Sequence, residues 1–334
     1  MKAEGAARFS LRLAAAAVLT ATVVLGASCG SGGGGSFGGG IGGSGLVVGP
    51  ITGFGSIIVG DVEFETTAAI VTLNGDLADE GDLRLGMVVR VEGEIDADGV
   101  MGVADTVEFE TVLEGPIDAV DLMSDAVDVL GDTVVIDGDT VLDGLTFDAG
   151  SVGTVVEVSG LVDADGTVRA TRIAQRLVDN GFVLSGIVQD LDEVAETFRI
   201  RKITVDYSTA QIVDAPAGGL RDGLGARVST SARPVADAVV ADRVRFREVD
   251  LPDEAGKEVR LQGFVTSVPA ADEFVLAGRV RVRVLRGTRF VNGDVDDLAR
   301  NRAVTVNGRL TAAGAVLADR VVFRTVDAVD PQMP

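Results

Sequence analysis

One segment of the sequence carries arginines at a spacing that suits anion recognition. Arg279, Arg281 and Arg283 alternate with valines, so a β-strand would place the three guanidinium groups on one face. Arg286 and Arg289 follow closely. Guanidinium groups bind phosphates and carboxylates through paired hydrogen bonds, which makes such a stripe a candidate anion-binding site. The plainer interpretation is a solvated strand face whose valines are buried.

Paired aspartates form a second candidate site. Asp96 and Asp98 precede a glycine, and Asp163 and Asp165 do the same in a matching segment. Carboxylate oxygens are the ligands that Ca²⁺ prefers. Asp-Gly is also one of the strongest turn signals, and no more distant glutamate completes the spacing of a calcium loop. We therefore expect two tight turns, with metal binding as a minor alternative.

Residue types that many catalytic sites need are missing. The chain has no histidine, no tryptophan and one tyrosine. Histidine-based triads and histidine zinc sites are therefore excluded, and little aromatic surface is left for stacking sugars or bases. Acidic residues are plentiful, yet no pair stands out for glycoside hydrolysis. We predict that the protein is not an enzyme and uses no cofactor.

The first residues have the order of an export signal. Lys2, Arg8 and Arg12 precede an apolar stretch at 13–25. This stretch is shorter than the roughly 20 residues that a membrane-spanning helix needs. We therefore expect residues 1–28 to be a signal peptide that is removed.

The single cysteine has a specific neighbourhood. Residues 26–29, Gly-Ala-Ser-Cys, resemble a bacterial lipobox. The resemblance implies a lipid on Cys29 that anchors the chain to a membrane. Gly30 stands where lipoproteins of the inner membrane carry aspartate, so the resemblance implies the outer membrane, on its periplasmic or cell-surface face. Residues 29–48, rich in glycine and serine, are predicted to be the lipidated cysteine and a flexible tether.

Beyond the tether, one unit occurs four times. Each unit opens with a glycine, and an Ala of its closing segment follows 55 positions later every time. So constant an interval indicates a packed module whose length is fixed by its own core. The predicted modules are 49–114, 115–185, 186–262 and 263–334. The third is degenerate, and residues 247–262 at its end are predicted to be a charged hinge on which the C-terminal half pivots.

Each module is predicted to be a small barrel. Its apolar and polar residues alternate, as in half-buried strands, and Gly and Asp separate the strands. A module of this length accommodates about five strands, and closing them removes unpaired edges. We predict an all-β chain of four tandem OB-like β-barrel modules. A four-bladed propeller is the alternative, although propeller blades usually have about 40 to 45 residues.

Three segments carry a resemblance to a known family. They are GFGSIIV at 53–59, LRLGMVVRVEG at 83–93 and VDADGTVRATRI at 162–173. These resemble domain of unknown function 5666, a family found in exported bacterial proteins. The resemblance is good in the first two modules, fair in the fourth and weak in the third. It implies OB-like β modules and supplies no catalytic residues.

Charge is divided unevenly along the chain, whose net charge is −22. The first module has fifteen acidic residues and two bases, whereas the fourth has eight acidic residues and ten arginines. Strong negative charge disfavours nucleic acid as a partner. We predict a non-enzymatic lipoprotein of the cell envelope that binds an anionic envelope component, a polysaccharide or a protein. The alternative is an architectural spacer with no ligand.

Overall fold

The all-β prediction is confirmed. A computed structural model describes residues 43–177 and 181–324, and these residues form 26 β-strands and three 3-10 helices of three residues each. The strands alternate buried and exposed side chains where the sequence alternates. In Val62–Glu65, for example, Val62 and Phe64 are buried and the two glutamates are exposed.

The first module is a closed barrel of five strand positions. Strand β1 pairs with β2, β2 with β3, β3 in parallel with β7, β7 with β6, and β6 with β1 again. Strands β4 and β5 form a hairpin at its edge, with β4 parallel to β7. The strands are Gly43–Gly53 (β1), Ile57–Val59 (β2), Val62–Glu65 (β3), Ile70–Leu73 (β4), Asp76–Ala78 (β5), Val88–Ile95 (β6) and Met101–Phe109 (β7), with a 3-10 helix at Glu80–Asp82.

The second module repeats this pattern. Its barrel closes through the pairs β8–β9, β9–β10, β10–β13, β13–β12 and β12–β8, of which β10–β13 is parallel. Its strands are Leu113–Asp121 (β8), Ala126–Val129 (β9), Asp132–Val135 (β10), Val141–Asp143 (β11), Val155–Val162 (β12) and Val168–Gln175 (β13), with a 3-10 helix at Ala149–Ser151.

The third module has the same pairings with interruptions. Its first strand is split into β14 and β15, and its last into β20 and β21, with β17 parallel to β20. The turn before β20 holds Ala236 and Asp237 at positive φ, where the other modules have a glycine. The strands are Phe182–Ile187 (β14), Gln189–Asp192 (β15), Thr197–Ile200 (β16), Ile203–Asp206 (β17), Gln211–Val213 (β18), Gly225–Thr230 (β19), Ala238–Val240 (β20) and Arg243–Arg247 (β21).

The fourth module closes in the same order. Strand β22 pairs with β23, β23 with β24, β24 in parallel with β26, β26 with β25, and β25 with β22. The strands are Glu258–Ala270 (β22), Glu273–Leu276 (β23), Val280–Val291 (β24), Ala303–Leu310 (β25) and Val316–Phe323 (β26), with a 3-10 helix at Val295–Asp297. The modules are therefore barrel-like, and the propeller alternative is wrong.

The first strand of every module begins earlier than the sequence predicted. The predicted openings lie inside β1, β8, β14 and β22, not at their starts. The end of the expected tether, residues 43–48, is therefore strand, and so is the end of the expected hinge, residues 258–262. The reason is that residues 45–48 pair with residues 258–261, and the apolar side chains of Leu46, Val47, Val259 and Leu261 are buried. Residues 29–42 lie outside the described part of the chain.

Strand β1 joins the first module to the fourth. It runs parallel to β22, with Leu46 beside Val259 and Val47 beside Arg260. Leu46 packs into the core of the fourth module, whereas Val47 packs into the core of the first, and both are fully buried. The two modules therefore share one 12-stranded sheet. The expected pivot at 247–262 is corrected, because backbone hydrogen bonds fix its second half to β1.

The second and third modules are joined in a similar way. Strands β8 and β14 are antiparallel, with Leu113 beside Leu184, and one continuous hydrophobic core runs through both barrels. A buried ion pair, Asp132 to Arg201 at 2.8 Å, crosses the same boundary. At both junctions, therefore, the first strand of one module pairs with the first strand of the other.

A close backbone contact connects the first module to the second. Gly86 has φ +80°, and a Cβ atom there would lie 2.3 Å from the carbonyl oxygen of Thr171. Thr171 Oγ1 donates to the Gly86 carbonyl at 2.5 Å, and the Val88 amide donates to Ser159 Oγ at 2.9 Å. Glycine is needed at position 86 because any side chain would separate the two barrels.

Candidate functional site

The predicted arginine stripe lies on the fourth module. Arg281 and Arg283 are exposed on β24, while Val280 and Val282 are buried in the core of the barrel. Arg279 precedes the strand and donates to the Val249 carbonyl at 2.5 Å, so it does not belong to the stripe. Although Arg279 as a whole is exposed, desolvation of its guanidinium group and the charges of Arg247 and Arg90 lower its pKa to about 10.

The stripe continues beyond an irregularity in β24. The register of β24 against β26 shifts between Val284 and Arg289, and Arg286 is exposed in this interval. Arg289 then lies beside Arg320 of β26, and both side chains are exposed. Phe290 points inward and stacks on Phe323 with ring centroids 6.1 Å apart, which fixes the outward direction of Arg289. We call the exposed arginines Arg281, Arg283, Arg286, Arg289 and Arg320 the arginine face.

Most of the arginine face has no carboxylate partner. Arg283 lies 3.6 Å from Glu273, and no other member has a carboxylate within 4.0 Å among the residues that the structure describes. Four other exposed arginines are each paired with a carboxylate: Arg199 with Asp190, Arg221 with Glu248, Arg233 with Asp118 and Arg309 with Glu258. An anion can therefore bind the arginine face without first displacing an internal carboxylate.

The first aspartate hairpin is an exposed turn. Asp98 Oδ1 accepts the Val100 amide at 3.0 Å, and the Asp96 carbonyl accepts the Gly99 amide at 2.8 Å. Within residues 43–177 and 181–324, no three Asp, Glu, Cys or His side chains are grouped as a metal site would need. The hairpin has the hydrogen bonds that the turn interpretation predicts.

The carboxylates of the second aspartate hairpin are bound by arginine side chains of the protein. Asp163 is buried and accepts from Arg169 Nε at 3.1 Å and from the amides of Asp165 and Thr167. Asp165 accepts from Arg300 at 2.6 Å and from the side-chain amide of Asn301. Hydrogen bonds from these two side chains lower the pKa of Asp165 below its ordinary value of 3.8. Asp165 therefore joins the second module to the fourth.

A second strand with alternating arginines was not predicted from the sequence. Arg243, Arg245 and Arg247 alternate with Val244 and Phe246 in β21, as the arginines of β24 do with valines. The same alternation would have indicated it. These arginines face the first module, where Arg247 lies 3.5 Å from Glu110. Cys29, the predicted lipid site, lies outside the described residues.

No helix in the described part of the chain has the length and apolar character required to span a bilayer.

Comparison with known proteins identifies the family. The sequence profile of domain of unknown function DUF5666 matches residues 45–108, 114–174 and 262–322. The chain belongs to this family. The matches begin within three residues of β1 and β8 and fall on the first, second and fourth modules, which confirms the suspected resemblance and its tandem repetition. The interrupted third module has no match.

Two further comparisons add little. No curated protein matches the chain. A solved structure described as "drosophila Unr CSD456" is 12% identical, with a TM-score of 0.19, covering 65% of this chain and 98% of its own. At that score the likeness carries no argument.

Replacing Asp165 by asparagine should lower the melting temperature at neutral pH, because the variant loses the charged acceptor for Arg300. The matched control is Asp98→Asn, at the same hairpin position in the first module but without an arginine partner; it should change little. Since the folded-state pKa of Asp165 is depressed, its contribution is present above pH 3.8 and is lost as pH falls below that value. Thermal unfolding of both variants across this range measures the effect. Equal melting temperatures of the two variants at pH 7 would contradict the contact.

Proposed function

We propose that this protein is an exported, lipid-anchored and non-enzymatic module of the cell envelope that binds an anionic envelope component. The supporting observation is the arginine face, in which four of five exposed arginines have no carboxylate within ion-pair distance in the described structure. Exposed guanidinium groups in this state are free to bind phosphate or carboxylate groups.

The form of the face favours a polymer over a small ligand. Its arginines are spread along β24 and onto β26, at the surface of a sheet and not around a cavity. Each exposed ion pair contributes only about 0.2 to 1 kcal/mol, so useful affinity requires several contacts at once. A polysaccharide that carries one negative group per sugar provides them. The net charge of −22 repels the same polymer elsewhere, which confines binding to this face.

The spacer alternative is less well supported. A spacer separates its two ends, but β1 of the first module and β22 of the fourth are hydrogen-bonded neighbours. The minor calcium alternative is also weak, because Asp163 and Asp165 are already bound by arginines.

Neutralising four of the five arginines of the arginine face should weaken polymer binding. In the variant Arg281→Gln/Arg283→Gln/Arg286→Gln/Arg289→Gln we expect the affinity of the full chain for polygalacturonate to fall at least about tenfold, because the loss of several cationic contacts is cumulative. Titration calorimetry at low and moderate salt measures it. Binding by the unmodified chain should weaken as salt screens the charges.

A matched variant controls for the change in net charge. Arg199→Gln/Arg221→Gln/Arg233→Gln/Arg309→Gln removes the same number of exposed charges, but each of these arginines has an internal carboxylate partner. Its affinity should remain close to that of the unmodified chain. Equal losses in both variants, or undiminished binding by the first, would exclude the arginine face as the binding site.

The lipid anchor has a separate test. Cys29→Ser removes the thiol that would carry the lipid, so the full chain should move from the membrane fraction to the soluble fraction of cells. It should also lose incorporation of a radiolabelled fatty acid. A variant that still sediments with membranes and still incorporates label would rule out Cys29 as the anchor.

A further inference from the structure

A polar cavity lies where the first three modules meet. Its volume is about 340 Å³, and four arginines line it: Arg176, Arg227, Arg243 and Arg245. Asn74 and Ser229 add neutral polar groups, and the carboxylates among the lining residues are those of Asp76 and Glu114. We propose that this cavity is a binding site for a small multivalent oxyanion, distinct from the arginine face.

The strand register brings three of the arginines to one face of a sheet. Arg227 of β19 and Arg245 of β21 are direct cross-strand partners. Arg243 lies two residues before Arg245 on β21 and is the cross-strand partner of Ser229. Like charges at directly opposed positions destabilise a sheet unless negative charge separates them. Arg176 comes from the end of the second module and completes the group.

Two of these arginines are held firmly by the protein. Arg227 donates to Asn74 Oδ1 at 2.7 Å and lies 3.4 Å from Glu110. Burial lowers its pKa, an effect that Glu110 opposes, so its guanidinium group is partly desolvated. Arg245 donates to the Asn74 carbonyl at 2.5 Å and lies 3.3 Å from Asp76. These contacts fix the floor of the cavity in place.

The other two arginines keep donors available. Arg176 lies 3.7 Å from Glu114 and 3.8 Å from Glu157, and both separations exceed the length of a hydrogen bond. Arg243 has no side-chain hydrogen bond or ion pair to any residue that the structure describes. Arg176 and Arg243 therefore have N–H donors available for a ligand in the cavity, and the side chains of Arg227 and Arg245 are already held in place beside them.

The chemistry of the cavity defines the ligand class. Guanidinium groups match the planar carboxylate and the tetrahedral phosphate through paired hydrogen bonds. The volume is near the lower limit of ligand sites, roughly 300 to 1,000 Å³, so the ligand is small. Leu73 and Val183 are the large apolar side chains of the lining, and most of the remaining contacts are polar. A phosphate ester or a di- or tricarboxylate fits these conditions.

The test is calorimetric titration of the full chain with inorganic phosphate and, separately, with citrate, each against chloride at equal ionic strength. We expect saturable binding at one site for at least one of the two anions, and the comparison tells phosphate from carboxylate chemistry. In Arg176→Gln/Arg243→Gln the affinity should fall at least about tenfold, because charge-assisted hydrogen bonds are lost. Saturable binding that the variant retains, or no saturable binding of either anion, would overturn the proposal.

Two further variants separate this site from other effects. Arg199→Gln/Arg309→Gln removes the same charge outside the cavity and should bind as the unmodified chain does; an equal loss there would overturn the proposal. Ser229→Asp adds a carboxylate beside Arg243 without removing an arginine, and it should also weaken binding at least about tenfold. It provides the same test if the double arginine variant does not fold. The arginine-face variant changes no residue that lines the cavity, so it should bind phosphate and citrate as the unmodified chain does even if it no longer binds polygalacturonate.

Discussion

The structure depends on one strand that serves two barrels. Strand β1 pairs with β6 within its own module and in parallel with β22 of the last module. Its consecutive residues Leu46 and Val47 are fully buried in different cores. Because both faces and both edges of this stretch are occupied, the first and fourth modules cannot separate without breaking a sheet. The tandem array is therefore a closed assembly and not a flexible string.

The uneven distribution of charge along the sequence corresponds to ion pairs between modules. Acidic residues of the first two modules meet basic residues of the last two at every described boundary between them. The pairs are Glu92 with Lys257, Glu110 with Arg227 and Arg247, Asp132 with Arg201, and Asp165 with Arg300. Some arginines of the second half thus join two modules through ion pairs, and others make no ion pair with another module. The arginine face belongs to the second group, and the cavity between the first three modules has members of both.

The barrel could be predicted from the sequence because its signals are local. Alternation in segments such as Val62–Glu65, glycine turns and the constant 55-residue interval all describe one module. The contacts between modules could not be predicted. Residues 46–48 are continuously apolar beside a glycine-rich stretch, a pattern that does not show a partner about 210 residues away. The alternation in β24 is also a local signal and predicted most of the arginine face, whereas the contacts of Arg245 and Arg247 with the first module depend on tertiary structure.

The parallel pairing of β1 with β22 is tested most directly by cross-linking within one chain. Ser44 Oγ lies 3.4 Å from Glu254 Oε2 across this junction, and both residues are exposed. In the full chain carrying Cys29→Ser, Ser44→Cys and Glu254→Cys, a short bismaleimide should join the two thiols rapidly, and dilution should not reduce the yield. Chains in which both thiols react with a monofunctional maleimide but form no intramolecular cross-link would contradict the closed assembly.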